Sequence, residues 1–290
     1  MSRIQPNPLL PVHEPADSVE NELLALLDES FAQTSQQPGL PPFAQDMRAK
    51  LMRRLAASRE AQALKITARH GRSARASLAP GASAQVLYEA PTGRALRPGE
   101  PLRVRIIRLE PGTTLSLGAL QGESPLVQRQ REWLVLDGGV RLARQDLSRR
   151  YYHALPAGLP TPELHATESA LVLLRESDPP AQAGGDAITV LDAQAGWPDY
   201  APGIQRRVLW QRDGQAAFLY YAQPGAQVPA HAHTHDEECL MLQGELFLDD
   251  LLLRQFDYQL APAGTGHQVT ETDTGGVLFA HGDIDLHFIG

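Results

Sequence analysis

The spacing of hydrophobic positions changes near residue 70 of this 290-residue chain. Upstream of that point, apolar residues recur at every fourth position in two stretches: Leu23, Leu27 and Phe31, then Phe43, Met47, Leu51 and Leu55. This spacing puts the apolar side chains on one helix face, and the segment GLPP at 39–42 separates the two stretches. We therefore predict a helical hairpin at residues 17–70, preceded by a disordered Pro-rich tail at residues 1–16.

From about residue 71 onward, short runs of Val, Leu, Phe and Tyr alternate with Gly and Pro, which is typical of an all-β fold. The region also repeats itself. EWLVLDG (132–138) matches ECLMLQG (238–244), and LPAGLPT (155–161) matches APAGTGH (261–267), both at an offset of 106 residues. Repetition of this length predicts two successive β-barrels, at 71–178 and 187–290, joined by the linker DPPAQAGGD.

Charge and cysteine content narrow the classes of partner. Residues 201–290 hold four arginines and twelve acidic residues, which accounts for the whole net charge of −8. Such a surface is a poor match for nucleic acid. The single cysteine excludes an intramolecular disulfide framework and fits a reducing cytoplasm. Neither a signal peptide nor an apolar run long enough for a membrane span is recognisable, so we expect a cytoplasmic protein with no membrane partner.

The second repeat carries a pattern suited to binding a metal ion. His231 and His233 alternate on a predicted strand, so both imidazoles face the same side. Glu237 begins the next strand, and His267 follows a Pro-x-Gly turn farther along the chain. Three imidazoles and one carboxylate suit a divalent ion. We predict one ion, with zinc favoured and iron, manganese or nickel as alternatives.

Three further residues lie near the predicted metal ligands in the sequence. His235 lies in the loop between ligands, while Cys239 and Met241 follow Glu237 at two-residue steps on the predicted strand. We assign these three residues to the surroundings of the metal. For His235 solvent exposure is the alternative, and for Cys239 the alternative is a small apolar filler.

The first repeat has the same frame without the ligands. Gly118 and Leu120 stand where the two histidines are expected, Arg131 matches Glu237, and Thr161 matches His267. Such a site cannot hold a cation in the same way. We interpret the first copy as a structural partner, or as a pocket for a neutral or anionic group near Arg131.

The segments PGAQVPAHAHTHDEECLMLQGELFLDD and FDYQLAPAGTGHQVTETDTGG resemble the ChrR-type anti-sigma-factor branch of the cupin superfamily. The resemblance covers about 187–290 and implies two tandem cupin (jelly-roll) β-barrels. Phe256 replaces the glycine usual before the Pro-x-Gly turn, and Glu271 replaces the asparagine usual after the histidine, but neither change removes a ligand. The His-Cys-Cys zinc cluster of the ChrR N-terminal domain is absent, because Cys239 is the only cysteine.

Three functions stay open at this point. The resemblance and the helical hairpin favour a regulatory or small-ligand-sensing protein, with a sigma factor or a small molecule as its partner and a homodimer as one possible assembly. The ligand set is also similar to sites in metal-dependent cupin dioxygenases, where open coordination positions accept substrate. The third alternative is a structural bicupin with a vestigial metal. The fold alone cannot choose among them.

Overall fold

The computed structural model describes residues 42–116, 129–142, 144–179 and 185–289. The all-β class is confirmed, because strands dominate the described chain. Two compact units divide the chain after Ala63, and Leu64–Gly290 make up the second unit. None of the described helices is long and apolar enough to cross a membrane.

The first unit contributes helix α1 (Pro42–Ala63), which begins at a proline as expected for a first helical position. Met47 and Leu51 on this helix are about half exposed. The predicted hairpin boundary at residue 70 needs correction. The helix ends at Ala63, and Ile66–Ala68 form a strand instead, since β-branched Ile66 and Thr67 suit a strand that can pair with a sheet edge. The hairpin's first helix and the tail at 1–16 lie outside the described residues.

The second unit contains helix α2 (Asp192–Ala195) and twenty-five described strands. In chain order the strands are β1 (Ile66–Ala68), β2 (Ala76–Ala79), β3 (Ala82–Glu89), β4 (Pro101–Leu109), β5 (Thr114–Leu115), β6 (Gln130–Asp137), β7 (Gly139–Leu142), β8 (Gln145–Ser148), β9 (Tyr152–Leu155), β10 (Leu164–Ala166), β11 (Ala170–Ser177), β12 (Ile188–Val190), β13 (Asp199–Ala201), β14 (Ile204–Arg212), β15 (Gln215–Ala222), β16 (Gln227–Val228), β17 (His231–Ala232), β18 (Glu237–Gly244), β19 (Leu246–Leu248), β20 (Leu251–Leu253), β21 (Tyr258–Ala261), β22 (Gly266–His267), β23 (Thr270–Glu271), β24 (Gly276–Asp283) and β25 (His287–Phe288).

These strands form two sets, and each set contains one seven-stranded sheet. The first strand set consists of the sheet β12-β9-β6-β11-β4-β3-β2 and the sheet β5-β10-β7-β8. The second strand set consists of the sheet β1-β21-β18-β24-β15-β14-β13 and the smaller sheets β16-β23-β19-β20 and β22-β17-β25. The sets exchange an edge strand. β1 precedes the first set but pairs with β21, whereas Ile188–Val190, assigned from sequence to the second barrel, pairs with β9.

The sequence repeat reappears in the strand pairing. Arg131 lies opposite Leu155 in the first set, and Glu237 lies opposite Ala261 in the second set, at the same offset of 106 residues. The next strand in each sheet keeps the offset, because Trp133 pairs with Leu174 and Cys239 pairs with Ala280. Equivalent positions in the two sets can therefore be compared residue by residue.

Three buried clusters hold the second unit together. One joins residues of both large sheets, including Leu134, Leu173, Leu240 and Phe279. The other two belong to one strand set each, with sixteen buried hydrophobic residues in the first set and six in the second. The hydrophobic cluster of the second set is therefore much smaller than that of the first set.

A buried ion cluster also links the two sets. Arg175 donates from Nη1 to Glu132 Oε1 at 2.8 Å within the first set, and from Nε to Glu238 Oε1 at 2.6 Å in the second set. Tyr152 and Tyr258 donate their hydroxyls to Glu132 and Glu238, respectively. Burial alone would raise the pKa of Glu132, but Arg175 and His281 outweigh it and hold that pKa well below its usual range. This cluster fixes Glu238, the residue directly after Glu237.

Candidate metal centre

Three short segments of the second strand set bring the four predicted ligands together. His231 on β17 lies directly opposite His267 on β22. His233 follows β17, where its backbone N–H donates to Thr265 O and its carbonyl accepts from Gly264 N–H. Glu237 opens β18. The Pro-x-Gly turn therefore bonds to the backbone of His233 and lies just before His267 on the chain.

The side chains of His231, His233 and Glu237 come together, and His267 lies beside Glu237. Ligand atoms of His231, His233 and Glu237 all lie within 4.8 Å of one another. Nε2 of His233 and Nε2 of His267 are each 3.3 Å from Glu237 Oε2. The three imidazole ring centroids are 5.1 to 5.6 Å apart. All three histidines are buried.

The chemistry of this cluster fits a divalent ion. Both ring nitrogens of His233 and Nε2 of His267 are buried without any hydrogen-bond partner. Burying unsatisfied nitrogen atoms is costly, and a metal ion would take up one nitrogen lone pair from each ring. The nitrogen–oxygen donor set suits zinc and the other transition metals considered above. His231, His233, Glu237 and His267 could hold one ion here.

Contacts outside the cluster aim the rings inward. Nδ1 of His231 lies 3.0 Å from Pro229 O, and Nδ1 of His267 lies 3.2 Å from Asp249 Oδ2. An N–H at His231 Nδ1 leaves its Nε2 lone pair free for a metal, the usual arrangement around ligating histidines. Nδ1 of His267 also lies 3.1 Å from Lys65 Nζ, so it can donate to Asp249 or accept from Lys65. Lys65, which directly precedes β1, is buried and donates from Nζ to Asp249 Oδ2 at 2.6 Å and to Gly266 O at 2.9 Å.

The protonation states of the cluster favour metal binding. Burial alone would raise the pKa of Glu237, but the neighbouring His233 and His267 outweigh it and bring the pKa to about 2. Burial lowers the pKa of His233, which keeps that imidazole neutral. Burial also acts to lower the pKa of His267, but the contact with Asp249 and the negative charge of Glu237 raise it overall. Protons and a metal ion would therefore compete most directly at His267.

A partly open cavity of about 80 Å³ adjoins the cluster. His231 and Glu237 line it on one side, and its other walls are mostly apolar. Cys239, Met241, Leu248 and Ala280 contribute apolar surface, and Tyr200 and Tyr220 are among its few polar groups. Burial raises the pKa of Tyr220 well above its usual value, so its hydroxyl stays protonated.

The three residues assigned to the surroundings lie in different places. Cys239 is buried next to Glu237, and Met241 lines the cavity. Burial, together with the Glu237 carboxylate, raises the pKa of the Cys239 thiol well above its usual value, so the thiol is protonated. His235 instead lies on the loop, hydrogen-bonded to Asp283.

The matching position of the first strand set holds an arginine side chain. Arg131 is fully buried, donates from Nη1 to Thr161 Oγ1 at 2.7 Å, and donates from Nε to Glu176 Oε1 at 3.2 Å. The guanidinium group thus lies where the equivalent residues of the second set form the candidate metal cluster. Gly118 and Leu120 lie outside the described residues.

Sequence reasoning missed Lys65 and Asp249. Asp249 adopts a positive φ of 56° in the turn between β19 and β20, a conformation that aspartate tolerates better than most residues. The adjacent pair Asp249–Asp250 could have indicated the turn, but nothing in the sequence indicated its contact with His267. Lys65 is about 200 residues from its partners and has no local signal. Phe256, at the position expected to be glycine, also has a positive φ of 67°.

Comparison with known proteins identifies the class of the second strand set. Residues 186–285 match the family described as the ChrR Cupin-like domain. The match covers about a third of the chain, and this segment is similar to the ChrR-type cupin domain, in agreement with the resemblance noted from the motifs. No curated protein matches the chain in sequence.

Solved structures resemble a larger part of the chain. The "putative dioxygenase" of Nostoc punctiforme PCC 73102 is 17% identical, with a TM-score of 0.56 over 79% of this chain and 83% of that one. Protein Ylba of E. coli is 11% identical, with a TM-score of 0.57 over 76% and 93%. Bacillus subtilis oxalate decarboxylase, whose Mn(II) centres were studied in that structure, is 16% identical, with a TM-score of 0.54 over 77% and 78%. At these identities the likeness shows the cupin fold alone.

Proposed function

We propose that this protein holds one divalent metal ion through His231, His233, Glu237 and His267 and binds a small ligand at that ion. The observation that carries the proposal is the shared wall: His231 and Glu237 belong both to the ligand cluster and to the lining of the apolar cavity. A ligand in the cavity would therefore meet the metal directly. Zinc is the first candidate, with iron, manganese or nickel as alternatives.

We also propose a tandem arrangement of two cupin barrels, at about 71–178 and 187–290. Two observations support it. The strand pairing repeats at an offset of 106 residues, and the structural likenesses extend over more than three quarters of the chain, well beyond the 186–285 segment. In this arrangement the first barrel is the structural partner of the second, since Arg131 already pairs with Glu176 and Thr161.

The chain's own residues define how a ligand would be received. A bound metal would supply a Lewis-acidic or redox-active centre. Asp249 and Pro229 O would hold the imidazoles in place, and the apolar cavity walls would exclude water from the ligand. We favour a regulatory or ligand-sensing role for this site, in a cytoplasmic protein. An anti-sigma role, with a sigma factor as the partner, is a proposal that rests on the similarity to the ChrR-type domain alone. A homodimer is a further proposal.

A metal-dependent dioxygenase is the second candidate, and one observation favours it. The cavity beside the cluster is small and apolar, which would suit an oxidation from which water is excluded. The described cavity lining offers Glu245 as its only carboxylate besides Glu237, so acid–base chemistry has few candidate groups.

Elemental analysis of the protein purified from its native host tests the proposal. About one metal ion per chain supports it, and protein that is free of metal under native conditions overturns it. Zinc with a co-purifying sigma factor would select the regulatory function. Iron, with oxygen consumption on a panel of diketones and thiols, would select the dioxygenase.

A further inference from the structure

The two strand sets differ in how their interiors are filled. The first set has a continuous buried cluster that includes Leu115, Trp133, Leu142, Leu164 and Leu174. The second set has a much smaller cluster, and the 80 Å³ cavity lies beside it. Because the two sets share one pattern of strand pairing, the residues responsible for the difference can be identified position by position.

One cross-strand pair accounts for much of the difference. In the first set, Trp133 on β6 pairs with Leu174 on β11, and both side chains are buried. The equivalent pair in the second set is Cys239 on β18 and Ala280 on β24. A thiol and a methyl group therefore stand where the first set has an indole and an isobutyl group. Both Cys239 and Ala280 line the cavity.

The size and polarity of the resulting space limit what it can hold. A cavity of roughly 150 Å³ accommodates benzene, so the cavity of about 80 Å³ has room for about three carbon atoms. Cys239, Met241 and Leu248 line the space with mostly apolar surface. The metal cluster borders the same space through His231 and Glu237. An oxygen donor directed at the cluster and a short apolar chain directed at the Cys239–Ala280 pair would occupy it.

We propose that the ligand class is short-chain aliphatic compounds with one oxygen-donor head group, and that Cys239 and Ala280 set the longest chain accepted. This inference rests on the proposed function, because the head group is expected to bind the metal. In the described part of the first strand set, Trp133 and Leu174 occupy the equivalent positions and both pack into a buried hydrophobic cluster.

The experiment uses the full chain loaded with Co(II), whose d–d absorption reports ligands that reach the metal. Straight-chain carboxylates from formate to hexanoate are the probes. Affinity should rise by about fourfold for each added methylene until the chain has about three carbons beyond the carboxyl group, near butyrate, because each methylene leaves water for an apolar wall. Affinity should fall for longer chains, which exceed the cavity.

Cys239→Leu should fill the space and shift the optimum to acetate. Butyrate binding should weaken by about 15-fold, the loss of two methylene contributions, while acetate binding and Co(II) content stay unchanged. The matched control is Cys239→Ala, which removes the thiol without adding bulk and should keep the butyrate optimum. If Cys239→Leu does not fold, Ala280→Val makes the smaller intrusion from the opposite strand and should weaken butyrate relative to acetate.

The outcomes separate the two proposals. Failure of the chain to bind Co(II) at the cluster overturns the proposed function and this inference with it. Co(II) binding with an affinity that does not depend on carboxylate chain length overturns only this inference. The same holds if folded, Co(II)-loaded Cys239→Leu or Ala280→Val keeps the wild-type preference.

Discussion

Replacing Arg175 by methionine tests the ion cluster between the two strand sets. The Arg175 side chain is 1% exposed. It donates hydrogen bonds to Glu132, Glu238 and the Gly99 carbonyl at 2.8, 2.6 and 2.6 Å. Methionine keeps the apolar stem but leaves two buried carboxylates without their shared cation. Removing one partner of a buried ion pair costs about 3–5 kcal/mol of unfolding free energy. For a unit of this size that corresponds to a fall in Tm of about 10 °C.

The unfolding free energy lost in Arg175→Met should depend on pH. The folded-state pKa of Glu132 is lowered in the wild type, so Glu132 contributes stability above its unfolded pKa and loses that contribution as the pH falls. Without Arg175, burial dominates and raises that pKa. Protonation then relieves the buried charge, so the difference between variant and wild type should be greatest near neutral pH and should shrink on acidification.

Thermal unfolding followed by circular dichroism, with a chelator present to remove metal effects, measures both quantities. Arg141→Met is the matched control, because Arg141 forms an exposed ion pair with Asp146 and its loss should change little. A Tm for Arg175→Met equal to that of Arg141→Met would refute the reasoning. A deficit that grows on acidification would refute the pH argument.

Three further predictions concern the metal cluster. His233→Ala and Glu237→Ala should each lose most of the metal and remain folded, because neither side chain belongs to a hydrophobic cluster. Metal content and circular dichroism measure the two effects, and global unfolding of either variant would contradict the prediction. Asp249→Asn should weaken zinc binding by about 10- to 100-fold in a chelator competition, because Asp249 contacts the His267 ring. The control Asp250→Asn, on the exposed side of the same turn, should leave zinc binding unchanged, and equal effects of the two variants would contradict the role of Asp249. Because Asp249 and Glu237 raise the pKa of His267, zinc affinity should already begin to fall above pH 6.5, the usual imidazole pKa, as the pH is lowered; a loss that begins only below pH 6.5 would count against this ligand.

The grouping of His231, His233 and Glu237 could be predicted from sequence because these residues lie close together along the chain. Alternate residues of a strand share a face, so His231 and His233 had to point together. Their convergence with Glu237 and His267 followed from turns with clear Gly and Pro signals. The 106-residue repeat similarly predicted which positions of β6 and β18 would correspond, and the strand pairing agrees with it.

The features that could not be predicted depend on contacts between distant segments. β1 pairs with β21, and β12 pairs with β9, because an open sheet edge accepts any suitable strand and leaves no local signal of its choice. Lys65 reaches Asp249 only through that exchange. The Arg175 cluster also depends on which sheet faces pack together, and no local pattern in the sequence indicates that packing.

X-ray absorption of the zinc-loaded full chain, combined with anomalous diffraction, tests the central claim most directly. The account predicts one ion per chain, with three imidazole nitrogens and one carboxylate oxygen at about 2.0–2.2 Å, located among His231, His233, Glu237 and His267. An ion bound elsewhere, a second ion beside Arg131, or a ligand set without His267 would contradict it.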